Sequence, residues 1–245
     1  MQIADGIHRI GSGLINAYLV ADGGGVTVID AGLPGYWSEL KTELAAMGRG
    51  LEDLRAVVLT HGHSDHIGFA ERARKERGVP VSIHEADALL AQGKVKNPAK
   101  GTGPVRPLPL LRFIALAMVK GGWHIDRLGE VATFGDGATL DVPGSPRVIL
   151  VPGHTPGSAV LHLADRGVLF VGDALATVAV TTGIVGPQIA PFTADSAVAL
   201  ASLDRLAGIE APWILPGHGA PWTDGTSAAI AAVRESSAAT RAGRR

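Results

Sequence analysis

The segment THGHSDH, residues 60–66, decides how this chain of 245 residues is interpreted. It carries three imidazoles and one carboxylate, and it directly follows a short apolar run that predicts a buried β-strand. Residues two apart in an extended segment point to the same side, so His61 and His63 can face one point. Asp65 and His66 stand where a helix would begin and can face a second point. A polar loop with structural histidines is the simpler alternative, but it does not explain four metal-ligand side chains behind one strand.

Three further segments each place one metal-ligand residue beside glycine, after a predicted strand. They are VPGHTPGS at 151–158, FVGDA at 170–174 and LPGHG at 215–219. Glycine permits tight turns and close approach of the backbone. One such pair alone is usually an ordinary turn, but three of them beside the first segment predict a metal site. The predicted ligands are His61, His63, Asp65, His66, His154, Asp173 and His218.

Composition restricts the classes of function. The chain has no cysteine, which excludes disulfides, thiolate zinc sites and cysteine nucleophiles. Its formal net charge of −1 gives no general attraction to nucleic acid or to anionic membranes. We found no apolar stretch of about 20 residues, so no membrane span is expected. These features favour a cytoplasmic protein that acts on a small-molecule substrate.

The pattern of apolar residues predicts two packed sheets with helices outside. A β-hairpin is expected at 14–29, followed by a helix over 36–47 and a strand–helix pair ending near Arg77. Strands precede helices in both halves of the chain. We expect one domain over residues 1–236 and a frayed tail at 237–245. Further expected elements are strands at 79–83, 139–142, 147–151, 159–163, 168–171 and 213–215, and helices at 85–91, 194–206 and 226–233.

The stretch from about 93 to 130 interrupts this pattern and is interpreted as a cap-like insertion. Proline, glycine and lysine flank an apolar run at 107–119. As a cap, this run would cover the metal site and provide an apolar substrate pocket. As a structural element, it would pack on the core or form a contact in a homodimer; the sequence leaves both alternatives open. The candidate pocket residues are Phe113, Met118, Trp123 and His124.

The motifs HGHSDH, PGHTPGS, GDA and PGHG, in this order, resemble the ligand motifs of the metallo-β-lactamase superfamily. The resemblance spans about residues 7–222, and VIDAG at 28–32 is similar to the first motif of that family. It implies an α/β fold, an αββα sandwich of two mixed β-sheets flanked by helices. It also implies two Zn²⁺ ions per chain, with Fe or Mn as alternatives. In that arrangement Asp173 bridges the ions, His61, His63 and His154 bind one of them, and Asp65, His66 and His218 bind the other.

The resemblance further implies a hydrolase that uses metal-bound hydroxide, with Asp65 and Asp173 as its catalytic carboxylates. Asp65 would carry a proton to the leaving group. Asp30 is a candidate partner for a ligand histidine, although an N-cap or turn carboxylate is an equal alternative. His63 stands where di-iron redox members often have Glu, which favours hydrolysis.

The substrate is less well defined by the sequence. We expect an ester, a lactone or a thioester with an apolar part. Only 27 residues follow His218, so the C-terminal helical region of glyoxalase II-like enzymes is missing or reduced, and Ala176 replaces a tyrosine common in acyl-homoserine lactonases. The alternatives are an iron-dependent oxidoreductase similar to persulfide dioxygenases, a β-lactamase, and a non-catalytic binding protein.

Overall fold

A computed structural model describes residues 1–99 and 103–242, and its largest sheet has seven strands. The first four strands pair antiparallel and the remaining connections are parallel. Neighbours in the sheet are also neighbours in sequence. The strands are β1 Gln2–Ala4, β2 Ile7–Gly11, β3 Asn16–Asp22, β4 Gly25–Ile29, β5 Leu54–Val58, β6 Val81–His84 and β7 Ala132–Phe134.

A second, four-stranded sheet is formed by the C-terminal half, and it too is mixed. Its strands are β8 Arg147–Leu150, β9 Ala159–Leu163, β10 Val168–Gly172 and β13 Trp213–Pro216, in the spatial order β13-β10-β9-β8. The β10–β13 pair is parallel and the other pairs are antiparallel. Between β10 and β13 in sequence, a small antiparallel pair forms from β11 Ala176–Val178 and β12 Val185–Gln188.

Three layers of buried side chains show that the sheets pack face to face with helices on both outer surfaces. Along β10, Leu169 packs toward helices, while Phe170 packs into the layer between the sheets, as the alternation of a strand requires. Leu40 of the first helix packs on the outer face of the large sheet. The expected αββα sandwich is therefore confirmed. Its helices are α1 Tyr36–Ala46, α2 Ser64–Ile67, α3 Ala70–Arg77, α4 Ala88–Ala91, α5 Pro107–Val119, α6 Ser196–Ser202 and α7 Thr226–Ala242.

Several predicted elements differ from the structure for local reasons. The helix expected up to Arg77 is divided into α2 and α3 near Gly68, which packs so closely that a Cβ there would lie 2.3 Å from the carbonyl oxygen of Gly32. The strand expected at 139–142 is reduced to a single bridge between Thr139 and Arg147.

The last helix continues to Ala242, although we expected it to end near Val233 and the tail to fray. Residues 243–245 of that tail lie outside the described residues. Within the part of the chain that the structure describes, no helix is long and apolar enough to cross a membrane.

Candidate metal centre

The predicted ligand residues lie in loops that follow strands of both sheets. Residues 60–66 leave β5 and enter α2, while His154 follows β8 and Asp173 follows β10. His218 follows β13, which pairs in parallel with β10. Because these strands end on the same side of the sandwich, the structure brings all seven residues predicted from the sequence into one cluster.

Asp173 lies at the middle of this cluster. Its Oδ2 is 3.1 Å from His218 Nε2 and 3.4 Å from His154 Nε2, and its Oδ1 is 3.6 Å from His66 Nε2. The carboxylate therefore touches groups from three different loops. Three sets of side chains place their ligand atoms within 4.8 Å of one another: His61, His63 and His154; His61, His66 and Asp173; and Asp65, His66 and His218.

Hydrogen bonds hold the outward-facing ring nitrogens of four of the five ligand histidines. His66 Nδ1 donates to Asp30 Oδ2 over 2.9 Å, which places Asp30 where the sequence predicted a supporting carboxylate. Thr193 Oγ1 donates to a carbonyl and so can accept from His154 Nδ1, at 3.0 Å. Thr60 Oγ1 lies between Asp30 Oδ2 (2.8 Å) and His61 Nδ1 (3.1 Å). His218 Nδ1 bonds to a backbone carbonyl, that of Leu14. Each bond fixes the ring so that Nε2 faces inward.

The inward-facing atoms include three buried ones without a hydrogen-bond partner in the described residues: His61 Nε2, His66 Nε2 and Asp173 Oδ1. Buried polar atoms are nearly always paired, so a group of unpaired ones requires an explanation. Imidazole nitrogen and carboxylate oxygen are the donors that zinc and other divalent first-row metals take in proteins. The residues present fit such a metal.

Electrostatics divide the cluster into two halves. In the imidazole half (His61, His63, His154), burial is the main effect: it lowers the pKa of His61 well below its usual value and that of His154 to about 3. The carboxylate half (Asp65, His66, His218) behaves in the opposite way. There burial also disfavours the charged imidazole, but Asp173, Asp30 and Asp65 raise the pKa of His66 to about 10, and the pKa of His218 is raised as well.

Asp173 itself remains ionised. Burial would raise the pKa of this carboxyl group, but the facing imidazoles of His218, His66 and His154 outweigh that effect and hold the pKa well below its usual range. An ionised carboxylate is the form that binds metal. The side chain at the centre of the cluster is therefore prepared to act as a ligand.

Asp87 is a contributor that the sequence analysis missed. Its fully buried carboxylate accepts hydrogen bonds from Gly62 N (2.8 Å) and Thr155 Oγ1 (2.7 Å) through Oδ2, and from Gly157 N (2.7 Å) through Oδ1. It thereby joins the loop of His61 and His63 to the loop of His154. In sequence, Asp87 is only an acidic residue at the start of a short helix, a position common for solvated carboxylates.

A cavity of about 250 Å³ lies over the cluster, and α5 forms part of its wall. The Phe113 ring lies 6.2 Å from that of His218, centroid to centroid, and Ala117 lines the cavity one turn further on. Met118 and Trp123 are 55% and 69% exposed. His124 is also exposed. In the described part of the chain these three do not line the cavity.

Of the four predicted pocket residues, only Phe113 lines the cavity. Successive residues of a helix point in different directions, so Met118 turns away from the face that carries Phe113. Phe113 and Leu116 also contact the core under the large sheet, whereas Leu111 and Val119 on other faces of α5 are exposed. Both roles that the sequence left open for the helix, covering the site and packing on the core, are met by the same face.

Comparisons with known proteins agree with this geometry. The family model of the metallo-β-lactamase superfamily matches residues 10–218. The probable metallo-hydrolase YflN of Bacillus subtilis is 32% identical over 236 residues, which are 91% of this chain and 87% of YflN.

Two solved structures have the same fold. The metallo-β-lactamase family protein TTHA1429 from Thermus thermophilus matches with a TM-score of 0.69 and 25% identity, over 97% of this chain and 80% of its own. TTHA1623, solved in a di-iron-bound form, matches with a TM-score of 0.60 and 28% identity, over 90% and 96% of the two chains. By sequence, fold and side-chain cluster, the chain belongs to the metallo-β-lactamase superfamily and is one of its metal-dependent hydrolases.

Proposed function

We propose that this chain is a dinuclear zinc hydrolase that cleaves an ester, a lactone or a thioester. The observation that carries the proposal is the convergence of seven ligand-type side chains, three of which direct inward a buried atom that has no hydrogen-bond partner among the described residues. The imidazole half would hold one ion and the carboxylate half the other. Asp173, which reaches groups in both halves, would bridge the two ions.

A pair of metal ions, when bound, lowers the pKa of water to near neutrality and polarises the carbonyl group that is attacked. The residues of the chain supply the remaining functions. Asp65 lines the cavity with a side chain that is 21% exposed, and its Oδ2 lies 3.5 Å from His218 Nε2. This position suits a carboxylate that takes a proton and passes it to the leaving group. Phe113 and Ala117 of α5 limit the access of water from above.

The apolar part of the cavity wall supports an acyl substrate. Ile15, Leu33 and Ile125 line the cavity together with the two α5 residues, opposite the polar cluster. A reacting carbonyl can therefore lie at the metals while hydrocarbon contacts the other wall. Esters, lactones and thioesters all combine these two features.

An iron-dependent oxidoreductase on the same fold is the second candidate. One observation favours it: TTHA1623, which is similar to this chain, was solved with two irons. The donor set of imidazoles and carboxylates accepts iron as well as zinc. Metal analysis distinguishes the two candidates, since the proposed hydrolase purifies with zinc or regains activity with zinc, whereas the oxidoreductase requires iron and consumes oxygen.

A substrate panel tests the proposal directly. Protein loaded with zinc is assayed against aryl esters, acyl lactones and acyl thioesters, with a chromogenic β-lactam as a further arm. We expect hydrolysis of at least one of the first three classes, lost on chelation and restored by zinc. Absence of zinc-dependent turnover in all three would refute the assignment, and turnover of the β-lactam alone would replace it.

A further inference from the structure

A second cavity of about 500 Å³, here called the distal cavity, neighbours the cavity over the metal cluster. It lies between the segment 179–193, α6 and α7. Alkyl groups of Ala179, Ile184, Ile189 and Leu200 contribute to its wall, and α7 contributes Ser237. It is about twice as large as the cavity over the metal cluster, and its volume is typical of small-molecule sites.

Phe192 is shared by the two cavities. This residue lines both the cavity over the cluster and the distal cavity, so it lies at the boundary between them. Its φ is 61°, in the left-handed region that a bulky side chain rarely adopts. Strained residues of this kind are kept where the surrounding structure holds them, and they are concentrated at ligand sites.

The metal cluster itself holds this boundary in place. Thr193, the next residue, bonds to His154 Nδ1 over 3.0 Å, and its hydroxyl donates to the carbonyl of Ala190 over 2.8 Å. The segment that divides the cavities is therefore anchored to a predicted ligand.

The two cavities differ in charge. The cavity over the cluster contains His63, Asp65, Asp173 and His218. The described residues that line the distal cavity include no acidic, basic or histidine side chain, only alkyl and hydroxyl-bearing ones besides Phe192 and one glutamine. A charged group placed there would gain no counter-charge from these residues, so an uncharged group fits this cavity better.

We propose that the distal cavity is a second substrate subsite, which receives the uncharged, apolar arm of the molecule whose carbonyl reacts at the metals, and that Phe192 is the boundary between the two subsites. The proposal rests on the hydrolase function proposed above. It narrows the substrate to acyl compounds with an extended neutral arm, in preference to short or terminally charged ones.

A chain-length series tests the subsite. The substrates are p-nitrophenyl esters with acyl chains of two to twelve carbons, and each methylene buried in an apolar site contributes about three- to fourfold. We expect kcat/KM to rise with chain length. In Ser237→Trp the indole would fill the distal cavity, and the ratio of kcat/KM for the octanoyl and acetyl esters should fall at least about tenfold.

A matched control lies at the next position. Ala238 is exposed on α7 and is not part of the cavity wall, so Ala238→Trp introduces the same bulk outside the subsite. It should keep the ratio of the wild type. An octanoyl ester that ends in a second carboxylate should be hydrolysed at least about tenfold less efficiently than its neutral counterpart. A ratio unchanged in Ser237→Trp, or equal hydrolysis of the two octanoyl esters, would overturn the proposal.

Binding of 1-octanol to metal-free protein separates this proposal from the hydrolase function. We expect octanol to bind the wild type and Ala238→Trp, and to bind Ser237→Trp at least about tenfold more weakly. If this pattern holds while zinc-dependent turnover of esters, lactones and thioesters is absent, the distal cavity is an apolar binding site and the hydrolase function falls. If esters are hydrolysed with no dependence on chain length and octanol does not bind, the hydrolase function stands and the subsite falls.

Discussion

The histidines in the two halves of the metal cluster have pKa values shifted in opposite directions. In the imidazole half, burial outweighs the carboxylates near His63 and His154, and the pKa of each histidine is lowered. In the carboxylate half, equally buried histidines face carboxylates, and their pKa values are raised. Burial is common to both halves, and what differs is that His66 and His218 also hydrogen-bond carboxylates, those of Asp30 and Asp173.

This difference teaches how metal binding begins. Ligand histidines must be neutral. The imidazole half already meets that condition near neutral pH, whereas in the carboxylate half His66 holds a proton that a metal ion must displace. The imidazole half can therefore bind a metal ion directly, whereas in the carboxylate half a metal ion must replace a proton.

Removal of the residue that joins the halves should have the largest effect. Asp173→Ala deletes the carboxylate that touches both, so the second ion loses its strongest contacts. We expect metal content to fall from two ions to one or none, and kcat/KM to fall at least about a hundredfold. Elemental analysis and steady-state kinetics measure both quantities, and circular dichroism verifies the fold. Full residual activity would remove Asp173 from the site.

Substitution of the residues that hydrogen-bond the ligand histidines should lower metal affinity differently in the two halves. Asp30→Asn takes an anion from behind His66, and we expect metal affinity in the carboxylate half to fall about ten- to a hundredfold. Thr193→Val removes only a neutral hydroxyl from behind His154, so its effect, confined to the imidazole half, should be smaller. Competition with a chromogenic chelator measures both affinities. Equal losses in the two variants would contradict the division into halves.

The smallest but most specific difference between the halves should be the number of protons released when each binds its metal ion. With a pKa of about 10, His66 is protonated at pH 7.5 in metal-free protein, whereas His154, with a pKa of about 3, is neutral. The ion entering the carboxylate half should release at least one proton, and its affinity should rise with pH, up to about tenfold per unit per proton. The ion entering the imidazole half should release none.

Calorimetric titrations in two buffers with different ionisation enthalpies measure this release for each ion. Identical proton release in both binding events would refute the charge assignment. The pH dependence of the second event disappears above about pH 10, where His66 is neutral before metal arrives.

The sequence predicted the ligand cluster well because its residues stand in compact motifs after apolar strands. Residues 60–66 needed no tertiary information, and the glycine-flanked His154, Asp173 and His218 could be grouped by their common position. Asp30 could be named as a partner, but only the structure identifies His66 as the histidine that it contacts.

Other features depend on tertiary packing and could not be predicted. Along α5 every face is apolar, so periodicity could not distinguish the side of Phe113 from the side of Met118. The division of the helix near Gly68 depends on a close contact with another loop. Asp87 and Phe192 carry no motif, since the function of each arises from loops distant in sequence.

Because of Asp87, the metal centre can be fully assembled only after the C-terminal half of the chain has been synthesised. Its carboxylate binds one loop that precedes it and one that follows it far along the sequence. During synthesis the first loop leaves the ribosome while the second has still to be made. Histidines of a partly made chain therefore offer a cation only loosely ordered ligands. Firm metal retention is a sign that synthesis and docking of both sheets are finished.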